Sequence, residues 1–370
     1  MTDVLCVAGA RPNFMKIAPV MAALAAAGLS ARLVHTGQHY DADMNDRFFR
    51  DLGIPLPDVN LEVGSGSHAV QTAEVMRRFE PVVDRETPRM VLVVGDVNST
   101  IACALVASKK CIPVAHVEAG LRSGDRTMPE EVNRVLTDQI SDLLFTTERS
   151  AHANLAREGI RNEAAHFVGN VMIDTLRRNL PRAVPASDTA GRPLKKGSYG
   201  VVTLHRPSNV DVAATLRTLL SALSDVAARI PLVFPVHPRT RARIEAAGLD
   251  KMLQQPAWIL LPPQGYLEML GLMRDARLVL TDSGGIQEET TALGVPCVTL
   301  RENTERPITV SEGTNTLAGR DPAKIRAAVA EIFSDGGKAG RVPEYWDGHA
   351  ADRIAAVIRD WLGNAVSGER

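Results

Sequence analysis

Met90-Val91-Leu92-Val93-Val94-Gly95-Asp96 is an unbroken apolar run that stops on a glycine and an acid, and a helix-like stretch from Ser99 to Ser108 follows it. A strand with one wet face alternates apolar and polar residues. This run does not alternate, so it predicts a strand buried on both faces, as in a parallel sheet covered by helices. The same unit recurs in both directions. Upstream, Val4-Leu5-Cys6-Val7-Ala8 leads through Gly9 into a helical pattern over Lys16 to Ala27. Downstream, Val201-Val202-Thr203-Leu204, Pro231-Leu232-Val233-Phe234, Trp258-Ile259-Leu260-Leu261 and Arg277-Leu278-Val279-Leu280 repeat it. Strands alternating with helices build βαβ units, and two such series predict an α/β chain of two Rossmann-like, doubly wound domains facing a cleft. Ligands of such domains sit at the carboxyl ends of the strands.

The chain has 370 residues, enough for two domains at about 150 residues each. Pro181, Pro185, Gly191, Pro193 and Gly197 punctuate a stretch of little apolar periodicity, residues 175–200, and place the seam there. The expected division is residues 1–178, carrying candidate catalytic carboxylates, and residues 179–350. A C-terminal helix over about 351–370 is expected to pack back across the seam.

With 45% hydrophobic residues and a net charge of −1, the chain is not disordered and has no electrostatic pull toward nucleic acid or an anionic membrane. Any anion it binds needs a local site. The four cysteines show no CxxC pair and no metal-ligand spacing with the nine histidines, so no metal is expected and a reducing compartment fits. The start is no signal peptide, and the longest uncharged stretch there, Ile17 to Ala31, is too short to span a bilayer. A soluble, cytoplasmic protein is expected.

Polar residues cluster just after the apolar runs. In the first cluster, Gly9-Ala10-Arg11-Pro12-Asn13-Phe14-Met15-Lys16, a tight turn opens a helix, and Arg11 and Lys16 can direct charge at a phosphate or carboxylate. A plain βα turn with two solvated cations reads the same residues. The second cluster is acidic. Asp96 and Glu118 end different strands of one sheet, and Glu130 follows Pro129 at a helix start. Carboxylates crowded together supply acid and base near neutral pH. The plain alternative leaves Glu130 and Glu131 as decoration of a helix N-terminus, and for Glu131 that reading is kept. The third cluster puts His205 beside Arg206 after a strand of the second series, with His237 placed similarly. A structural histidine is the alternative for each. In the fourth, Thr281-Asp282-Ser283-Gly284-Gly285-Ile286-Gln287-Glu288-Glu289, the two glycines let a pyrophosphate approach helix N–H groups, with the Ser283 hydroxyl as a further donor. Glu289 can accept from ribose hydroxyls, and Arg306 can supply charge to a diphosphate. It is neither a Walker A sequence nor GxGxxG, and a structural βα turn is its alternative.

Taken in order, GARPNFMK (9–16), GDVNST (95–100), HVEAGLRSGD (116–125), PEEVNR (129–134), LHRPSN (204–209), PVHPRT (235–240), TDSGGIQEE (281–289) and TERP (304–307) resemble the motifs of the non-hydrolysing UDP-N-acetylglucosamine 2-epimerases, across residues 5 to 315. The resemblance implies a glycosyltransferase-B-like fold and no redox cofactor. It implies Arg11 and Lys16 as active-site cations, Asp96, Glu118 and Glu130 as catalytic carboxylates, and His205 as an active-site histidine. It assigns Ser283, Gly284, Gly285, Glu289 and Arg306 to UDP, and His237 to the nucleotide side. The implied reaction eliminates UDP to leave a 2-acetamidoglucal, then adds it back after reprotonation at C2, interconverting UDP-N-acetylglucosamine and UDP-N-acetylmannosamine in a homodimer. Asn13 stands where GTRPE is common, and Ser208 where HRxEN has glutamate. Other readings are a hydrolysing relative, an epimerase for a modified UDP-2-acetamido sugar, a glycosyltransferase of the same architecture, and a UDP-sugar sensor with idle carboxylates.

Overall fold

The computed structural model describes residues 2–37, 53 and 56–367, apart from the side chains of Arg11 and of 365–367. It divides into two compact units, Met1–Arg178 with Glu344–Arg370, and Asn179–Pro343. The first unit holds β1 (Val4–Ala8), β2 (Ala31–His35), β3 (Val59–Asn60), β4 (Met90–Val94), β5 (Val114–Ala119), β6 (Leu143–Thr146) and β7 (Ala165–Phe167), in the order β3-β2-β1-β4-β5-β6-β7. The second holds β8 (Gly200–Thr203), β9 (Leu232–Pro235), β10 (Trp258–Leu261), β11 (Leu278–Thr281), β12 (Cys297–Thr299) and β13 (Asn315–Leu317), in the order β10-β9-β8-β11-β12-β13. Every pairing is parallel. Both units thus repeat one doubly wound order, in which the direction of strand succession across the sheet reverses between β1 and β4 and between β8 and β11.

The apolar runs are continuous because each strand feeds two cores. Val202, Leu232, Phe234, Leu278 and Leu280 join the cluster with Leu216, Leu220 and Leu223 of helix Ala213–Ala227. Their neighbours Val201, Val233 and Val279 point the other way, to Tyr199, Leu272 and Met273. Burying each such side chain contributes about 1.5–3 kcal/mol, which makes a polar residue on either face costly.

Two local features differ from expectation. The first helix runs Arg11–Ala26, beginning upstream of Lys16 because Pro12 fits a first turn that lacks an N–H partner anyway. The seam region is not loose chain. It contains helices Val171–Asn179 and Ala186–Ala190, and a Cβ on Gly271 would meet the Val184 carbonyl oxygen at 1.7 Å. The terminal helix, Ala350–Ser367, packs on helix Arg11–Ala26 within the first unit. Among the described residues no helix is long and apolar enough to cross a membrane.

Candidate active site

In the first unit the turn after β1 is tied to β4 by Asn13. Its Oδ1 accepts from the backbone N–H groups of Gly9 (3.1 Å) and Ala10 (2.9 Å), and its Nδ2 donates to the Val94 carbonyl (3.1 Å). One turn on, Lys16 Nζ lies 2.6 Å from Glu118 Oε2, and both side chains are buried. Gly95 passes beside them with φ 66°, and a Cβ there would sit 3.0 Å from Lys16 Nζ. Left-handed backbone and close approach both call for glycine. Glu118 is also left-handed (φ 75°), at a register shift between β5 and β6. A non-glycine residue held there stores strain, a feature that clusters at functional sites.

Asp96 accepts from Arg134 Nη2 at 2.5 Å and from Nε at 2.9 Å. Arg134 Nη1 in turn donates to Glu131 Oε2 at 2.7 Å. Glu131 therefore does not decorate a helix end, which corrects the sequence reading. It is buried and takes the backbone N–H groups of Ser123 (3.0 Å) and Gly124 (2.9 Å). Burial alone would raise its pKa, but those N–H groups and Arg134 outweigh it and hold the carboxyl below its ordinary value. Its neighbour Glu130 is half-buried and has no hydrogen bond or ion pair among the described residues. The Arg11 side chain lies outside the described residues.

In the second unit Asp282, fully buried at the end of β11, organises the turn after β8. It accepts from the backbone N–H groups of His205 (3.0 Å) and Arg206 (2.9 Å), and lies 2.9 Å from His205 Nδ1. Burial pushes the Asp282 carboxyl up, yet His205 and these N–H groups prevail and keep it low. A carboxylate on Nδ1 leaves the Nε2 edge of His205 for other chemistry. His237 is exposed and caps helix Pro238–Ala246, its Nδ1 accepting from the Arg239 N–H (3.2 Å), with its ring centroid 5.8 Å from that of His205.

Ser283 is the N-cap of helix Gly284–Leu293. Gly284 is buried and Gly285 half-buried, and a Cβ on Gly284 would meet Glu305 Oε1 at 2.8 Å. Gln287 holds the loop that carries Arg306, accepting from Thr304 Oγ1 (2.7 Å) and Asn315 Nδ2 (3.1 Å). Arg306 is buried with its Nε 2.8 Å from Glu288 Oε1, so its charge already has a partner. Glu305 lies 2.8 Å from Arg301 Nη2 and 3.6 Å from Arg206 Nη2. Burial pushes Glu305 up, but Arg306 and Arg301 hold it far below the usual carboxylate range. Glu289 is the opposite case. Its burial lifts the pKa to about 8, the Tyr266 hydroxyl opposes the rise and Glu288 adds to it. At neutral pH it keeps its proton. Three guanidiniums, Arg206, Arg301 and Arg306, thus gather near a helix N-terminus with the proton-bearing Glu289 adding no charge against them, an arrangement suited to a phosphate.

The structure brings Lys16 and Glu118 together in the first unit, with Asp96 ending the adjacent strand and Glu130 opening helix Pro129–Gln139. It sets His205, Ser283, Gly284, Gly285, Glu289 and Arg306 around β8 and β11 in the second, with His237 after β9. Sequence reasoning missed Arg134, Asp282, Glu305 and Tyr266. The spacing of Glu131 and Arg134 on one helix carried a signal for the first, and the motif TDSGG contained the second. The motif TERP contained Glu305, and nothing local marked Tyr266 as a member of the site. No cluster of three or more His, Cys, Asp or Glu suited to a metal ion occurs among the described residues.

The sequence pattern of the UDP-N-acetylglucosamine 2-epimerase family matches residues 22–359. A UDP-N-acetylglucosamine 2-epimerase of Methanococcus maripaludis is 41% identical over 98% of this chain and 97% of its own. A UDP-2,3-diacetamido-2,3-dideoxy-D-glucuronate 2-epimerase of Pseudomonas aeruginosa is 42% identical over 96% of this chain and 99% of its own. The crystal structure of the Methanocaldococcus jannaschii UDP-GlcNAc 2-epimerase, in complex with UDP-GlcNAc and UDP, superposes with a TM-score of 0.87 at 39% identity, covering 97% of this chain and all of that one. Two parallel doubly wound sheets, glycosyltransferase-B-like in class, and a match of this length have one reading: the chain belongs to the UDP-N-acetylglucosamine 2-epimerase family.

Proposed function

We propose that this epimerase interconverts UDP-N-acetylglucosamine and UDP-N-acetylmannosamine without hydrolysis, through loss of UDP to a 2-acetamidoglucal and its re-addition. The observation that carries the reading is that three carboxylates sit in three different electrostatic settings. Glu118 is paired with a buried ammonium, Asp96 with a guanidinium, and Glu130 with no charged group among the described residues. Proton transfers on opposite faces of C2 need groups of unequal readiness, and unequal surroundings supply that. The C2 proton is weakly acidic, so departure of UDP must help the C–H bond break. The helix N-terminus and guanidinium around Ser283, Gly284, Gly285 and Arg306 suit a leaving diphosphate. Glu289 fits the ribose hydroxyls, His205 serves as the active-site histidine, and His237 fits the nucleotide side. Lys16 and Arg11 complete the sugar side. A cytoplasmic homodimer belongs to the same proposal, and four free cysteines suit a reducing compartment.

The test is turnover in deuterated water followed by proton NMR. Product and recovered substrate should both gain deuterium at C2 alone. Asp96→Asn, Glu118→Gln and Glu130→Gln should each lower the rate about 10²-fold or more, with UDP affinity little changed. Epimerised product that keeps its C2 hydrogen would refute the mechanism. Free N-acetylmannosamine would make the enzyme a hydrolysing one. Running the assay beside the 2,3-diacetamido uronate that the Pseudomonas relative is named for decides the sugar.

A further inference from the structure

The end of β5 carries a buried device that the proposed chemistry does not use directly. His116 is wholly buried two residues before Glu118, and both of its ring nitrogens are engaged. Nε2 donates to the Gly95 carbonyl at 2.8 Å, and Nδ1 lies 2.7 Å from Asp138 Oδ1. The other oxygen of Asp138 accepts from the Gly120 N–H at 3.0 Å, two residues after Glu118, and from Arg122 Nη2 at 2.7 Å. Arg122 in turn holds Glu158 at 2.6 Å. Gly120 is itself fixed, because a Cβ there would strike Ala151 at 2.9 Å, and its carbonyl accepts from Asn154 Nδ2 at 2.9 Å.

One carboxylate therefore grips the strand on both sides of Glu118, and the histidine it holds reaches across to the residue before Asp96. We propose that His116 and Asp138 are positioning residues. Together they clamp Glu118 in its left-handed conformation and fix its place relative to Asp96, an inference that rests on the acid/base reading given above. Three features argue for a clamp rather than ordinary core filling. A left-handed glutamate needs surroundings that over-determine it, and Asp138 supplies a tether on either side. The histidine bridges two adjacent strands at the carboxyl ends where the candidate acids stand, not lower in the sheet. Its polar groups also satisfy one another, His116 and Arg122 against Asp138 and Glu158, so the device is self-contained. Burial pushes Asp138 up, but His116 and Arg122 outweigh it and keep the carboxylate ionised and able to accept from all three donors.

The experiment compares wild type, Glu118→Gln, Asp138→Asn, His116→Gln, and the double variant Glu118→Gln/Asp138→Asn, with UDP-N-acetylglucosamine as substrate. Cooperative urea unfolding reports that each protein is folded, and calorimetric binding of UDP that the second unit is intact. Asparagine cannot accept from all three donors, and glutamine can keep the Gly95 bond but not the Asp138 one. A misplacement of about 1 Å in a reacting group costs about 10²-fold, so Asp138→Asn and His116→Gln should each lower kcat by about that factor with KM and UDP affinity little changed. If Asp138 acts through Glu118, the double variant should be no slower than Glu118→Gln alone. A general loss of packing would instead multiply the two effects. Should Asp138→Asn fail to fold, His116→Gln carries the same comparison. Wild-type kcat in either folded variant, or multiplied losses in the double, would overturn the clamp. Wild-type turnover in Glu118→Gln would instead overturn the acid/base reading, so the two failures are told apart.

Discussion

The two units share one strand order but finish their strands with different charge. Around β1, β4 and β5 the described cations Lys16 and Arg134 meet Glu118, Asp96 and Glu131, with Glu130 close in sequence, so negative charge is left over. Around β8 and β11, Arg206, Arg301 and Arg306 meet Glu288, Glu305 and the buried Asp282, while Glu289 holds its proton, so guanidiniums and carboxylates come close to balance beside a helix N-terminus. The backbone differs too. The first unit puts a glutamate into the left-handed region, the second puts glycine at a helix start. A doubly wound sheet decides only that ligands gather at the strand ends. Which ligand, and whether it is bound or transformed, depends on the charge there.

Breaking the first unit's central ion pair should have the largest effect. Lys16→Met strands a buried Glu118, and uncompensated buried charge costs about 3–5 kcal/mol. Urea unfolding should show that loss, and an unchanged midpoint would mean that Glu118 finds water or protonates at no cost. The second unit's guanidiniums are probed at Arg306. Arg306→Ala should weaken UDP binding about tenfold or more, since charge-assisted hydrogen bonds contribute about 1.5–3 kcal/mol. Because Arg306 is also paired with Glu288, the double variant Arg306→Ala/Glu288→Gln should recover stability while UDP affinity stays low. Recovery of both by calorimetry would remove Arg306 from the diphosphate site.

The smallest effect, read per pH unit, sharpens the comparison by titration. Glu289 ionises near 4.5 in the unfolded chain and near 8 when folded, so its stabilising contribution is complete below pH 4.5 and is lost as pH rises toward 8. Glu289→Gln has no proton to lose. The stability of wild type relative to this variant should therefore fall by at most about 1.4 kcal/mol per pH unit between those limits and level off above them. A difference that does not vary with pH would show that Glu289 is ionised in the folded protein.

Much of this was legible before folding, because the signals are local. An unbroken apolar run needs two buried faces wherever it sits, so Met90–Val94 announced a covered parallel strand and the residues after it a site. Gly284 and Pro12 declared turns and helix starts for reasons contained in their own backbones. What only the tertiary structure decided is which charges meet. The β3-β2-β1-β4 order sets the ends of β1 and β4 side by side, and parallel pairing brings Asp138 beneath β5, so Lys16 finds Glu118 and Asp138 finds both His116 and Gly120. Glu131 read as a solvated helix-end acid and is a buried ligand of Arg134, and Glu289 read as an ordinary carboxylate and is neutral. Protonation and pairing depend on burial and on partners many residues away, and no periodicity encodes either.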